Sequence, residues 1–238
     1  MSIEGVIAEY HWQGMLVHLL GLIIATKIAW KIAFSLPAVQ KMRQWNRDED
    51  KPKKALPKYG PVRKQTQQVG LYMHLLFFLL FVPFVVTLDA QPIWKYFTDA
   101  LIILLVFDFL YYLTHRFIFH GKLLKKVHGL HHQARDISYI DSQYVHPLET
   151  VIGTTLFMGS AIGLGFAFGD YHAATFIMAQ FIFNNVNQLN HTKFNVNRFP
   201  YKAVNYLTSK HAVHHIDMNH GNYSTLSPLY DWMFGTLD

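Results

Sequence analysis

The chain has 238 residues, of which 51% are apolar and 15% charged, against roughly a quarter charged in an ordinary soluble domain; its length allows one or at most two domains. Cysteine is absent, which excludes disulfides, iron–sulfur clusters, haem-thiolate and Cys-type zinc sites, whereas its 15 histidines equal all Asp and Glu together. The basic residues behind the net charge of +6 lie in loops beside apolar runs, a pattern that points to the cytoplasmic side of a membrane and away from nucleic acid.

In chain order, the first ten residues are acidic and lack a basic n-region, so no cleavable signal peptide is expected. A first apolar segment, about Gly14 to Leu36, carries Lys27 and Lys31 near its C-terminal end, placed to snorkel to the interface. The polar stretch Lys41–Gln68, rich in Lys and Arg and interrupted by Pro52, Pro57 and Pro61, reads as a cytoplasmic loop. A second run, Val69–Leu88, is long enough to span roughly 30 Å of hydrocarbon. A turn with Pro92, Trp94 and Tyr96 leads to a third run, about Phe97–Leu113. Beyond a histidine-rich segment, Leu148–Phe168 and Ala173–Leu189 form a helical hairpin, since only Gly169–His172 separates them. The tail, Asn190–Asp238, has no spanning segment. The expected fold is therefore an all-α integral membrane protein with four to five membrane helices and a histidine-rich helical cap. With Lys41–Gln68 cytoplasmic, the positive-inside rule places the N-terminus outside and brings every histidine cluster to the cytosolic face.

Three histidine groups carry the chemistry: His115 with His120; His128, His131 and His132; and His211, His214 and His215. The last two share the pattern H-x-x-H-H, which at i, i+3 and i+4 projects three imidazoles from one helical face. Neutral imidazole ligates iron, zinc or copper. His115 and His120 lie about 140° apart on an ideal helix, so either the helix end distorts or the two point at different metals, and a two-metal centre favours the second arrangement. His191, at the end of the last apolar run, is a ninth candidate. Nine nitrogens exceed the needs of one metal, so two metals follow. None of Glu4, Glu9, Glu49 and Glu149 is followed by His at +3, which excludes carboxylate-bridged bundle sites. No H-E-x-x-H or H-x-x-E-H motif of a zincin-type protease is present.

The remaining histidines are read as interfacial (His11, His18), packed (His74), or in the far turn (His172). His146 precedes Pro147 and Glu149, a helix-start pattern, and is also a possible outer-shell group. His220, five beyond His215, is another, as are Asp108 and Asn187.

These residues resemble the fatty acid hydroxylase/sterol desaturase superfamily. Its three boxes are matched by H-R-F-I-F-H (115–120), H-G-L-H-H (128–132) and H-A-V-H-H (211–215). The likeness extends to Asp108, Phe109 and Tyr112, to Y-V-H-P-L-E-T (144–150), N-H-T (190–192) and N-H-G-N-Y-S (219–224). The H-P-L-E-T element is similar to that of C4-methyl-sterol oxidases. Asn187 stands where fatty acid 2-hydroxylases carry a further histidine, which argues against a sphingolipid-type 2-hydroxylase and leaves Asn187 as a weak or water-mediated ligand.

The resemblance covers about residues 97–238 within a single membrane-embedded domain, 1–238. It implies two iron ions at the cytosolic face, in a bacterial inner membrane or endoplasmic reticulum, with zinc as an alternative occupant on purification. It further implies that O₂ and two electrons hydroxylate a C–H bond of a membrane lipid of sterol or fatty-acyl type. The electrons come from a separate donor, of cytochrome b5 or ferredoxin type with its reductase. Phe107, Phe109, Tyr111, Tyr112 and Phe183 are candidate pocket walls. The rivals are a lipid desaturase on the same scaffold, a metal-transport or storage protein, and a degenerate member holding structural zinc.

Overall fold

The computed structural model describes residues 9–238; most of the N-terminal stretch on which the signal-peptide expectation rests lies outside them. The helices are α1 (Trp12–Ala33), α2 (Pro37–Lys54), α3 (Tyr59–Leu80), α4 (Ile93–Thr114), α5 (Lys125–His128), α6 (Pro147–Phe168), α7 (Ala173–Asn190), α8 (Lys202–His214) and α9 (Leu229–Met233). Among the described residues, four segments are long and apolar enough to cross a membrane: Trp12–Ala33, Tyr59–Phe84, Ile93–Phe119 and Pro147–Phe168. The hairpin partner α7 is as antiparallel as its four-residue turn requires. Asn184, Asn185, Asn187, Gln188 and Asn190 in its last two turns make it more polar than the others.

Each helix of this all-α integral membrane fold packs on its neighbour in the order α1, α7, α4, α6, α3. Burial of Phe77, Phe78, Phe107, Phe157 and Phe176 forms the core between them. Aromatic stacking is close, with the Phe157 and Phe183 rings 4.2 Å apart and nearly parallel. At one end a short parallel bridge pairs β1 (Val86–Thr87) with β2 (Tyr171–His172), tying the hairpin turn to the end of α3. The start of α1 meets the same end, where His11 N–H donates to Pro83 O. All chain ends leading into histidine groups therefore lie at the opposite, cap end.

Three sequence expectations change here. Lys41–Gln68 is no loop. Its first part is α2, with Lys51, Lys53 and Lys54 in the last turn where they oppose the helix dipole; its second part opens α3. That helix starts ten residues before the apolar run and stops at Leu80, because Pro83, lacking an N–H and disfavouring helix at the residue before it, turns Val82–Phe84 into a 3₁₀ turn. His18 is fully buried between Phe78 and Phe176, at ring distances of 4.9 and 4.4 Å, and is not interfacial. Its polar ring sits one and a half turns inside α1, on the face that packs against α7.

Helix α2 lies across the cap. Asn46 Oδ1 accepts from the N–H of Tyr139 (3.2 Å) and of Lys193 (2.9 Å), joining α2 to two cap loops. Lys53 pairs with the buried carboxylate of Asp141, which also accepts from the Tyr59 hydroxyl at 2.6 Å. The positive charge of this stretch is thus partly spent inside the fold.

Candidate metal centre

The nine histidines named from the sequence gather at the cap end in two groups. One holds His115, His120, His128, His132 and His214; the other holds His131, His191, His211 and His215; within each group the ligating atoms lie within 4.8 Å of one another. The groups are adjacent, since the rings of His132 and His215 stack at 4.7 Å. Each H-x-x-H-H motif therefore divides its members between the groups, two to one. In 211–215 this follows from α8, where His211 and His215 are one turn apart and His214 is turned aside. In 128–132 the expectation of a single helical face fails: α5 ends at His128, and His131–Gln133 is a 3₁₀ turn.

His115 and His120 fall in the same group, contrary to the expectation that they point at different metals. The alternative considered with it, a distorted helix end, is what occurs. Residues His115–Phe119 form a π turn, and His120 N–H donates to His115 O at 2.9 Å. An i→i+5 bond sets residue five above residue zero, cancelling the offset of an ideal helix. Gly121 allows the exit from this turn, because a Cβ there would lie 1.8 Å from Phe117 O.

Seven of the nine rings have Nδ1 committed to an acceptor outside the groups. The partners are backbone carbonyls for His115 (Tyr223, 2.7 Å), His120 (Met218, 3.0 Å), His131 (Tyr144, 3.2 Å), His191 (Asn187, 2.9 Å), His214 (Gly221, 2.6 Å) and His215 (Ala134, 3.1 Å). For His128 the partner is the Glu149 carboxylate at 3.0 Å. Each bond places the ring proton on Nδ1 and leaves a lone pair on Nε2.

Nε2 atoms of these seven rings face one another at His115–His128 2.9 Å, His115–His214 3.2 Å and His131–His191 3.0 Å. Two of them meet the Nε2 of the remaining rings, whose Nδ1 has no partner, at His128–His132 3.0 Å and His191–His211 3.0 Å. The Nε2 atoms of His120 and His215 are buried with no partner. Lone pairs directed together at such distances repel unless a cation lies between them. Two nitrogens at right angles around a metal at about 2.1 Å are about 3.0 Å apart, so the donor set fits a metal in each group.

Burial keeps the rings neutral. It lowers the pKa of His120 and His191 to about 4, and of His128 and His131 to about 3. His132, His211, His214 and His215 are also held well down, by burial and then by repulsion from neighbouring rings. At neutral pH all eight present unprotonated nitrogen.

The other candidates stand outside the groups. His146 caps α6, its Nδ1 accepting from Leu148 N–H at 3.1 Å. Asp108 accepts from the N–H groups of Thr225, Leu226 and Ser227 and touches the tail, not the histidines. Asn187 supplies the carbonyl that orients His191, and its residue lines the cavity described next. His220 pairs with Asp238 at 3.3 Å on the cap surface. Glu149, assigned from the sequence only to the helix start, is the carboxylate that meets the clustered histidines, at His128; its place in the H-P-L-E-T element beside the boxes was the available signal.

A cavity of about 150 Å³ adjoins both groups. His115 and His128 border it from one group, His131, His191 and His211 from the other. Its wall toward the bundle is Phe107, Tyr111, Gly153 and Phe183, so three of the five expected aromatics line it. The other two, Phe109 and Tyr112, pack instead on Tyr230 and Phe234 of the tail.

An apolar helical bundle capped by two converging polyhistidine groups defines a membrane-embedded histidine-box protein. The chain belongs to the fatty acid hydroxylase family, whose sequence profile matches residues 100–236. It is similar to Protein CER1-like 2 of Arabidopsis thaliana, at 30% identity over 159 residues, covering 62% of this chain and 25% of that protein. It is similar to Methylsterol monooxygenase 1 of Rattus norvegicus at 27% identity, covering 62% and 50% of the two chains. Similarity to very-long-chain aldehyde decarbonylase GL1-5 of Oryza sativa subsp. indica is also 27%, covering 62% and 25%. The chain spans half or less of the length of these relatives. No solved structure matches it.

Proposed function

We propose that the chain is a non-haem di-iron monooxygenase that hydroxylates a C–H bond of a membrane lipid of sterol or fatty-acyl type. The observation that carries this reading is the gathering of nine imidazoles in two adjacent groups, five of them bordering a cavity whose other wall is aromatic. His115, His120, His128, His132 and His214 hold one iron; His131, His191, His211 and His215 hold the second. Bound iron supplies the oxidising power that an unactivated C–H bond demands. The reaction is balanced by O₂, two electrons and two protons, giving one hydroxyl on the lipid and one water. The names of the relatives, a methylsterol monooxygenase among them, support a lipid as substrate.

The chain's own residues bind and orient. The backbone carbonyls behind the rings fix tautomer and direction, and Glu149 Oε1 holds the Nδ1 proton of His128. Phe107, Tyr111 and Phe183 give an apolar substrate a dry seat against both groups. Electrons arrive from a separate donor of cytochrome b5 or ferredoxin type with its reductase, and the lysines and arginines of 41–68 support a cytosolic position for the site.

The test is product analysis by mass spectrometry after turnover of iron-loaded protein in lipid nanodiscs under ¹⁸O₂. A lipid heavier by one labelled oxygen supports hydroxylation. Loss of two hydrogens without label makes the chain a desaturase, and unchanged lipid across sterol and fatty-acyl pools with a competent donor overturns the reading.

A further inference from the structure

We infer that the C-terminal segment Thr225–Phe234 is a re-entrant element that enters the lipid bilayer beside α4 and presents Leu229, Trp232 and Met233 to acyl chains. The sequence shows no spanning segment in the tail, and a surface position on the cap would be the default. Three observations place it deeper.

The first is its point of attachment. The segment Ile93–Phe119 is 27 residues long, whereas hydrocarbon takes about 20 residues of helix. Every window of about 20 residues inside that segment contains residues 100–112. The backbone N–H groups of Thr225 and Leu226 donate to Asp108 Oδ1 at 3.0 and 2.9 Å, and Ser227 donates to Oδ2 through N–H (3.3 Å) and hydroxyl (3.1 Å). The Tyr230 hydroxyl donates to Leu105 O at 2.9 Å, and its ring packs on Phe109 at 5.2 Å. Wherever the bilayer boundary falls along α4, Leu105, Asp108 and Phe109 lie inside it; the tail is hydrogen-bonded to the first two and packs on the third.

The second is the chemistry of that attachment. Irregular backbone at membrane depth persists only where its N–H and C=O groups are satisfied by protein. Residues 225–227 are outside any helix, and Asp108, 1% exposed, accepts from all three of their N–H groups. A buried carboxylate in a spanning helix is otherwise costly; here its oxygens are taken by four donors, which makes Asp108 the socket of the tail.

The third is what the segment exposes. Trp232 is 70% and Met233 56% exposed, with Leu229 also open, while its charged residue, Asp231, is buried on Tyr223 N–H and Ser224 N–H. An element that hides its acid and shows Leu, Trp and Met matches an acyl layer bordered by headgroups, where Trp is favoured. Tyr223, two residues before the segment, holds His115 through its carbonyl, so seating of the tail in the bilayer and the shape of the first histidine group are joined by a short stretch of chain.

The native chain has no cysteine, which suits site-directed spin labelling. The Met233→Cys and, separately, Trp232→Cys full-length proteins in lipid nanodiscs would be compared with Leu101→Cys on the lipid face of α4 and Lys126→Cys on the cap. Relaxation by O₂, which partitions into lipid, against chromium oxalate, which stays in water, reads the depth. Labels at 233 and 232 are expected to favour O₂ several-fold, as at 101. Preference for chromium oxalate at both positions, matching 126, with 101 still favouring O₂, would overturn the inference. Chromium oxalate preference at 101 as well would overturn it through the span on which it rests.

Discussion

His128 Nδ1 and Glu149 Oε1 lie 3.0 Å apart, and among the described residues this is the one hydrogen bond between a carboxylate and a clustered histidine. It joins the second histidine box to the first turn of α6, so a helix of the bundle orients a histidine of the cap. Carboxylates in this position fix the ring and raise its basicity, and removing them typically costs 10–100-fold in metal affinity. Glu149→Leu is expected to weaken metal binding in the group of His115 and His128 by about that factor, and Glu149→Gln, which keeps an acceptor oxygen, by less. Chelator competition against the purified protein measures both.

Gly221 carries a different constraint. A Cβ at this position would sit 2.0 Å from Thr236 O, and the Gly221 carbonyl is the partner of His214 Nδ1 at 2.6 Å. Asn222 beside it takes φ of 60° and bonds the Thr236 carbonyl, so the strand of tail has no freedom to retreat. Gly221→Ala is expected to cost about 1–3 kcal/mol through overpacking and to lower metal retention with it. Thermal unfolding with and without added metal separates the two effects, because metal binding to the intact fold restores part of the loss.

The depressed histidine pKa values set a pH dependence for the metal-free protein. His128 and His131 fall to about 3 and His120 and His191 to about 4, against an unfolded value near 6.5. Below about pH 6.5 the unfolded chain takes up protons that the folded chain refuses, so stability falls as pH falls, down to the folded values. Each such histidine contributes up to about 1.4 kcal/mol per pH unit in that window. The melting temperature of the metal-free protein is expected to drop steadily from pH 7 to pH 5, and a flat profile would contradict the burial of these rings.

The sequence made the bundle and the ligand set legible, because apolar length and H-x-x-H-H spacing are local signals. Gly14–Leu36, Phe97–Leu113 and the two hairpin runs correspond to α1, α4, α6 and α7 within a few residues. Grouping of the histidines was not legible. Spacing assumes a continuous α-helix, and both the π turn at His115 and the break after His128 depend on packing against the tail and α6. His18 misled for a related reason: position near a helix start says nothing of which neighbours close over it. The contacts of Glu149 and Asp108 are long-range, spanning 21 and about 118 residues of sequence; the H-P-L-E-T element marked Glu149 without naming its partner, and no local pattern encodes the contact of Asp108 with the tail.

The division of each H-x-x-H-H motif between two metal groups is the claim on which the rest depends. Its most direct test is elemental analysis of metal per chain, after iron-supplemented expression without chelators or a histidine tag, on the native sequence and two double variants. The native chain is expected to hold about two metals. His132→Ala with His214→Ala should retain one through His131, His191, His211 and His215, and His211→Ala with His215→Ala should retain one through the other five. A native chain without stoichiometric metal, or one whose content is indifferent to both double variants, would contradict the two-centre reading.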